Sequence, residues 1–325
     1  MERKKVVIFF FISYLIFILW LFEINDKKID KKITVSNNEN IIINHLSNVD
    51  GLLKTIDSIK SQTYQSQRLN LIIFDFSNED IKSILSLYDS LFLKIHVIKS
   101  TNFKSHDHYL NLNQDILSDN NILILKSGGI LPKNMIKELS NSFYQNNNSA
   151  VMIPVVNKPS HRKNIFFQLL DSFFTILKFS AMNKGLTNSV NLYNDSLMIK
   201  KDVFMNLLFK NYNNFSVQAE LNQNIYIKHN ESSILTSTNL KLFYVLYGLI
   251  NILFIGTISL FVSNPSFYWL ITILIKVIPE SIIIYSYYNK LKIKFPRIDF
   301  IIYLIVSPFY ILIMIFNNRK WIFKL

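Results

Sequence analysis

Cysteine is absent from the 325 residues. That excludes disulfides, thiolate metal sites and a cysteine nucleophile. Glycine is scarce, at 6, and the familiar glycine-dependent motifs are missing: no G-x-S-x-G, no Walker loop and no G-x-G-x-x-G, and no H-E-x-x-H zinc helix either. Acidic residues are also few. Asp and Glu number 22 against 35 Lys and Arg, a formal net charge of +13. Such an excess fits an anionic partner, whether phospholipid, nucleic acid or a phosphorylated substrate. No basic motif interleaved with aromatics is present, so nucleic acid is not expected. Abundant Lys, Asn and Ile beside little Gly is also the bias of an AT-rich genome, and that bias accounts for the bulk of the charge.

Apolar residues are plentiful. Half of the chain is hydrophobic and 14% is aromatic, enough for a core and for membrane spans. Residues 6–22 are apolar apart from Ser13 and the amphipathic Tyr14 and Trp20, near the lower limit of about 17 residues for a spanning helix. Lysines and Arg3 flank them, and "LWLFEIND" offers no small-residue cleavage site, so an uncleaved anchor is expected. Residues 242–262, 267–285 and 298–316 are three further apolar stretches; "SNPS" makes a hairpin of the first two. The basic loop "NKLKIKFPR" belongs in the cytoplasm by the positive-inside rule, and segment order then places 23–241 there too. The same arrangement leaves Arg3, Lys4, Lys5, Arg319 and Lys320 outside, against that rule. Lys276 and Glu280 stand four apart within the second stretch, at the spacing of a helical ion pair.

Between anchor and hairpin the pattern alternates. "NIIIN" (40–44), "LNLIIFDF" (69–76), "KIHVIKS", "NNILILKSGG" and "SAVMIPVV" (149–156) read as strands. "VDGLLKTIDSIKSQ" (49–62), "EDIKSILSLYDSLF" (79–92) and "PKNMIKELSNSFYQ" read as helices, the last opening on proline. Strands alternating with helices predict a mostly parallel sheet with flanking helices. Ligands of such sheets bind beyond the carboxyl ends of the strands, so the loops at 44–47, 75–78 and 126–129 are expected to meet in one crevice. "NIFFQLLDSFFTILKFS" (164–180) is apolar over most of a helix and fits a membrane interface, with a core helix as the alternative.

Four segments, in order, carry a resemblance: "LLKTIDSIKSQTYQ", "LNLIIFDFSNED", "NNILILKSGGILPKNMIKEL" and "NDSLMIKKDVFMNL". Over residues 40–235 the chain resembles the nucleotide-sugar-binding domain of membrane-anchored family 2 glycosyltransferases. The resemblance implies a GT-A-like fold with one N-terminal and about three C-terminal transmembrane helices. It divides the chain into an anchor at 1–24, a linker at 25–39, the glycosyltransferase-like domain at 40–240, helices at 241–317 and a basic tail at 318–325.

The family's chemistry rests on carboxylates. A divalent cation held by a D-x-D motif offsets charge on the diphosphate leaving group, and another carboxylate deprotonates the acceptor. This chain departs from that pattern. Lys126-Ser127-Gly128 stands where D-x-D would, followed by Gly129; Ser47-Asn48 replaces N-E; Asp75 remains with Phe76 beside it; and Glu220 alone is left where the catalytic base is expected. No metal or other cofactor is therefore expected. Ser47, Asp75, Lys126, Ser127, Gly128 and Gly129 are the candidate substrate-binding residues and Glu220 the candidate base. Two readings stay open. One is a degenerate, non-catalytic scaffold in cell-envelope glycan or lipid assembly, with a protein partner. The other is a metal-independent transferase in which Lys126 meets the diphosphate as a point charge and the 127–129 amides add donors. Its partners would be a nucleotide sugar and a lipid-linked acceptor. Both imply membrane lipids, no nucleic acid, and a multi-pass protein of the bacterial inner membrane with a cytoplasmic soluble domain. Asp75 could equally cap its own turn, and His106-Asp107-His108 reads as surface loop.

Overall fold

In the computed structural model the described residues are 2–21, 39–46, 48–77, 79–99, 116–117, 121–145, 149–157, 165–183, 196–208, 217–219, 227–229 and 241–317. In chain order the elements are α1 (Glu2–Leu21), β1 (Glu39–His45), α2 (Val49–Lys60), β2 (Leu69–Asp75), α3 (Lys82–Leu85), β3 (Lys94–Lys99), β4 (Ile122–Lys126), β5 (Gly129–Ile130) and α4 (Met135–Gln145). They continue with β6 (Ala150–Ile153), β7 (Val155–Asn157), α5 (Ile165–Asn183), β8 (Ser196–Ile199), α6 (Lys201–Leu208), β9 (Val217–Ala219), β10 (Ile227–His229), α7 (Lys241–Ser263), α8 (Phe267–Lys290) and α9 (Arg297–Asn317). The chain divides into two compact units, one made of 27–160 and 188–237, the other of 1–26, 161–187 and 238–325.

The first unit is a mixed α/β layer. Its seven-stranded sheet has the order β3-β2-β1-β4-β8-β6-β9. β3, β2, β1 and β4 run parallel, β9 runs parallel to β6, and β8 is antiparallel to both neighbours. The expected mostly parallel sheet with flanking helices is what forms. Isoleucine-rich β1 and β2 are buried throughout, as strands covered on both faces must be. Ile41, Ile43, Leu71, Ile73, Leu123 and Leu125 point to one face, where Leu52 and Ile56 of α2 and Met135 and Leu139 of α4 close the core.

Three elements differ from the sequence expectation. The helix expected over 79–92 shrinks to α3 and a following 3-10 turn, Ser86–Tyr88. Ser83 and Ser86 turn their hydroxyls onto the carbonyls of Asp80 and Ser83, competing with the helical ladder. The single strand expected over 149–156 splits at Pro154, which has no N–H for the ladder. β6 stays in the main sheet, while β7 joins a second sheet of order β5-β10-β7. α2 stops at Lys60 rather than Gln62, with Ser61 as its C-cap, and the Gln62 side chain bridges to α4. Its Nε2 donates to the Ser58 and Pro132 carbonyls, and its Oε1 accepts from the Ile136 amide of α4.

The second unit is a helical bundle. α8 packs against α1, α5 and α7, and α9 against α5 and α7. α5, expected at a membrane interface or beneath the sheet, belongs to this bundle. Its described side chains are buried except the half-buried Thr175 and exposed Asn183. Phe173 and Phe174 pack on Tyr247 of α7. Among the described residues one helix, α8, is long and apolar enough to cross a membrane; 6–19 and 247–263 are shorter apolar helices.

Candidate functional site

The parallel strands bring the ends of β1, β2 and β4 side by side. β1 lies between β2 and β4, with His45 opposite Asp75 and Asn44 opposite Lys126. The turns after β1, β2 and β4 therefore leave the sheet side by side at its carboxyl ends, where ligands of such sheets bind. Ser47 and Glu220 lie outside the described residues, as do Asn78 and the His106–His108 stretch.

Asp75 is fully buried. Its Oδ1 accepts from the Ser77 amide at 2.9 Å and the Ser77 hydroxyl at 2.6 Å, an Asx turn. Its Oδ2 sits 2.6 Å from Lys99 Nζ in an ion pair, though with no aligned hydrogen bond. Lys99 also donates to the carbonyls of Ser77 and Glu79. Burial pushes the Asp75 carboxyl up, but the close Lys99 ammonium and the Ser77 hydrogen bonds outweigh it and hold the group below the usual range. The geometry is that of a turn cap: both oxygens already have partners within the protein.

The turn after β4 answers why two glycines stand there. Ser127 N donates to Asn44 O at 3.1 Å, extending the β1 pairing. Gly128 has φ 89°, a left-handed conformation that disfavours side chains. Its amide donates to Gly51 O at 3.1 Å and to Thr55 Oγ1 at 2.9 Å. A Cβ on Gly51 would meet Gly128 Cα at 3.3 Å, and one on Gly129 would meet Ile227 Cγ2 at 2.8 Å. The glycines thus dock the turn onto α2 and the second sheet. Two of the three amides that a phosphate cradle would use are engaged inside the protein. Lys126 itself is half-buried.

His45 was not singled out by sequence reasoning. It is fully buried beside Asp75, and neither ring nitrogen finds a hydrogen-bond partner. Burial lowers its pKa, more than the nearby Asp75 and Glu79 carboxylates raise it. The only signal was a polar residue ending an isoleucine strand, "NIIINH". Among the described residues no three His, Asp or Glu side chains gather as a metal-ligand set.

Among solved structures, the chain is similar to the mannosyltransferase PcManGT from Pyrobaculum calidifontis, solved with GDP-Man and Mn2+: 11% identity over 98% of this chain and 92% of that one, TM-score 0.49. It is similar to S. aureus TarS at 11% identity, over 73% of this chain and 42% of TarS, TM-score 0.35. It is similar also to a shorter TarS chain in complex with UDP, at 12% identity over 73% of this chain and 69% of that one, TM-score 0.35. No protein-family model matches, and no curated protein matches. Likenesses this distant leave the strand order and register as the ground for the fold.

Proposed function

We propose that this chain is a membrane-embedded, family 2 glycosyltransferase-like protein. Its crevice has lost metal-dependent sugar transfer, and it serves as a non-catalytic scaffold in assembling cell-envelope glycan or lipid at the bacterial inner membrane. The observation that carries this reading is the internal use of the crevice's polar groups. Asp75 is consumed by Ser77 and Lys99. The amides of Ser127 and Gly128 are consumed by Asn44, Gly51 and Thr55. By the sequence resemblance, Lys126 stands where the family would carry its metal-binding carboxylates. A diphosphate entering here would meet the half-buried Lys126 ammonium in place of a metal ion.

The membrane part of the reading is supported by inverted polarity in the bundle. Asn251, Thr257, Thr272, Lys276, Glu280 and Ser307 are buried, whereas Leu249, Leu274, Ile278, Ile282 and Ile305 are at least 42% exposed. Apolar surface outside and polar groups inside suit lipid rather than water.

Calorimetric titration of the purified full chain with UDP- and GDP-linked sugars, with and without Mn2+, tests the first part. No saturable heat is expected. Saturable binding that Lys126→Ala abolishes would overturn it in favour of metal-independent transfer, the alternative favoured by a cation placed at the end of β4. Alkaline extraction of membranes tests the second part: the chain is expected to stay with the lipid, and release into the supernatant would sink it.

A further inference from the structure

Among the described residues of the bundle, Glu280 is a desolvated carboxylate that three helices share. Glu280 of α8 is fully buried, and Lys276, one turn earlier, is 1% exposed. Lys276 Nζ is 2.9 Å from Glu280 Oε2. Glu280 Oε1 accepts from the Tyr14 hydroxyl of α1 at 2.6 Å and from the Tyr247 hydroxyl of α7 at 3.2 Å. The lysine ammonium lies over the Phe254 ring, 4.6 Å from its centre, and 5.5 Å from that of Tyr247.

This arrangement does what apolar packing cannot. α1 is apolar nearly all round: Val6, Phe9, Phe10, Ile12, Ile16 and Leu19 are exposed by 42% or more. In lipid such a helix gains nothing by turning one apolar face inward, because lipid tails are as apolar as leucine. Tyr14 is different. It is 5% exposed, between buried Phe11 and Ile18 on one side of the helix, and its hydroxyl has a charged acceptor waiting. A hydrogen bond to a charged group contributes about 1.5–3 kcal/mol, which is at least tenfold in a binding equilibrium.

We infer that the Lys276–Glu280 pair is the docking site for the chain's own first helix. α1 is a permanent member of the bundle, selected by Tyr14, rather than an independent anchor. The charged pair also fixes its rotation, since it is the buried Tyr14 hydroxyl that meets Glu280, while the neighbouring Ser13 is exposed. The inference rests on the membrane part of the proposed function and holds whether or not the crevice binds nucleotide sugars.

The test uses the full chain with a protease site inserted in the 27–38 segment, a tag at the C-terminus and purification in mild detergent. After cutting, the α1 fragment is expected to stay with the tagged body. Tyr14→Phe is expected to release it, lowering retention at least tenfold. Tyr247→Phe, which strips a hydroxyl from the same carboxylate but not from α1, is expected to retain it, as is the exposed-face change Ile16→Ala. Loss of α1 from the unsubstituted protein would overturn the inference. So would full retention by Tyr14→Phe, or equal loss in Tyr14→Phe and Tyr247→Phe. Monodisperse elution and unchanged helical circular dichroism of each variant separate docking from misfolding.

Discussion

The Gly128 amide donates to the Thr55 hydroxyl across 2.9 Å, tying the turn after β4 to the second turn of α2. Thr55 is fully buried, and its own hydroxyl donates back to Gly51 O at 3.0 Å. One side chain thereby satisfies groups from two separate segments.

Thr55→Val keeps the shape and removes both bonds. It leaves the Gly128 amide only its contact with Gly51 O. A loss of about 0.5–1.5 kcal/mol is expected, the usual net worth of a hydrogen bond, because Gly51 O still accepts from the amide. Gly128→Ala forces a Cβ into a left-handed conformation and is expected to cost about 1–2 kcal/mol independently. Urea unfolding followed by circular dichroism reads both. A neutral Gly128→Ala would contradict the strained turn.

Asp75 predicts an acid limit. Its folded pKa lies below the ordinary carboxylate value, so its contribution is present above about pH 3.9 and is lost as pH falls through the lowered folded value. Asp75→Asn should destabilise at pH 7 by roughly 1–3 kcal/mol, because both the Ser77 cap and the Lys99 pair depend on the carboxylate. The gap to the unsubstituted chain should narrow in strong acid. Lys99→Met should cost less, about 1 kcal/mol at most, since Lys99 is 50% exposed and water screens the pair. Stability curves from pH 2 to 7 check the order, and a larger effect from Lys99 would refute it.

Glu39 predicts the opposite slope. It opens β1 at the other end of the sheet, 1% exposed, with Oε1 3.4 Å from the Ser140 hydroxyl. Oε2 has no partner. Burial pushes its carboxyl up to about 8, against the lowering effect of the Ser140 and Asn121 hydrogen bonds. A carboxyl raised on folding binds more protons folded than unfolded between its two pKa values. Stability should therefore fall as pH rises from about 4.3 to 8, by at most roughly 1.4 kcal/mol per unit. Glu39→Gln should flatten that slope and be the more stable protein at pH 8. Equal slopes in the two proteins would remove Glu39 as the cause.

How far the sequence carried these features depends on range. Strand and helix alternation made the parallel sheet legible, because apolar period and turn residues are local signals. Meeting of the turns after β1, β2 and β4 followed from the sheet rule. What failed were competitions between local and distant partners. The serines of "IKSILS" look helical by period, yet take backbone carbonyls. Gln62 looks like a last helical residue, but caps α4 some 70 residues away in sequence. Buried Asn70 donates to Asn40 on the neighbouring strand at 3.1 Å, a pairing that only register creates. The same holds at the crevice: Asp75 and Lys126 were visible, while Lys99 became relevant only once β3 lay beside β2. His45 was invisible because nothing in its local pattern separates a silent buried histidine from a turn residue.

The spacing of Lys276 and Glu280 announced an ion pair, but not its energetic setting. Both groups are desolvated, and the carboxylate also serves two tyrosines. Removing one partner leaves an uncompensated charge, so Lys276→Met is expected to cost about 3–5 kcal/mol. Replacing both charges would be near neutral for an isolated pair. Here Lys276→Met with Glu280→Met strands the hydroxyls of Tyr14 and Tyr247, at about 1–3 kcal/mol for each unsatisfied group. The double variant should therefore recover only part of the loss. Adding Tyr14→Phe and Tyr247→Phe should recover most of the remainder. Thermal unfolding of the four proteins in one detergent measures the sequence. If the double variant already matched the unsubstituted chain, the tyrosines would not depend on Glu280, and the shared carboxylate would not be what ties α1, α7 and α8 together.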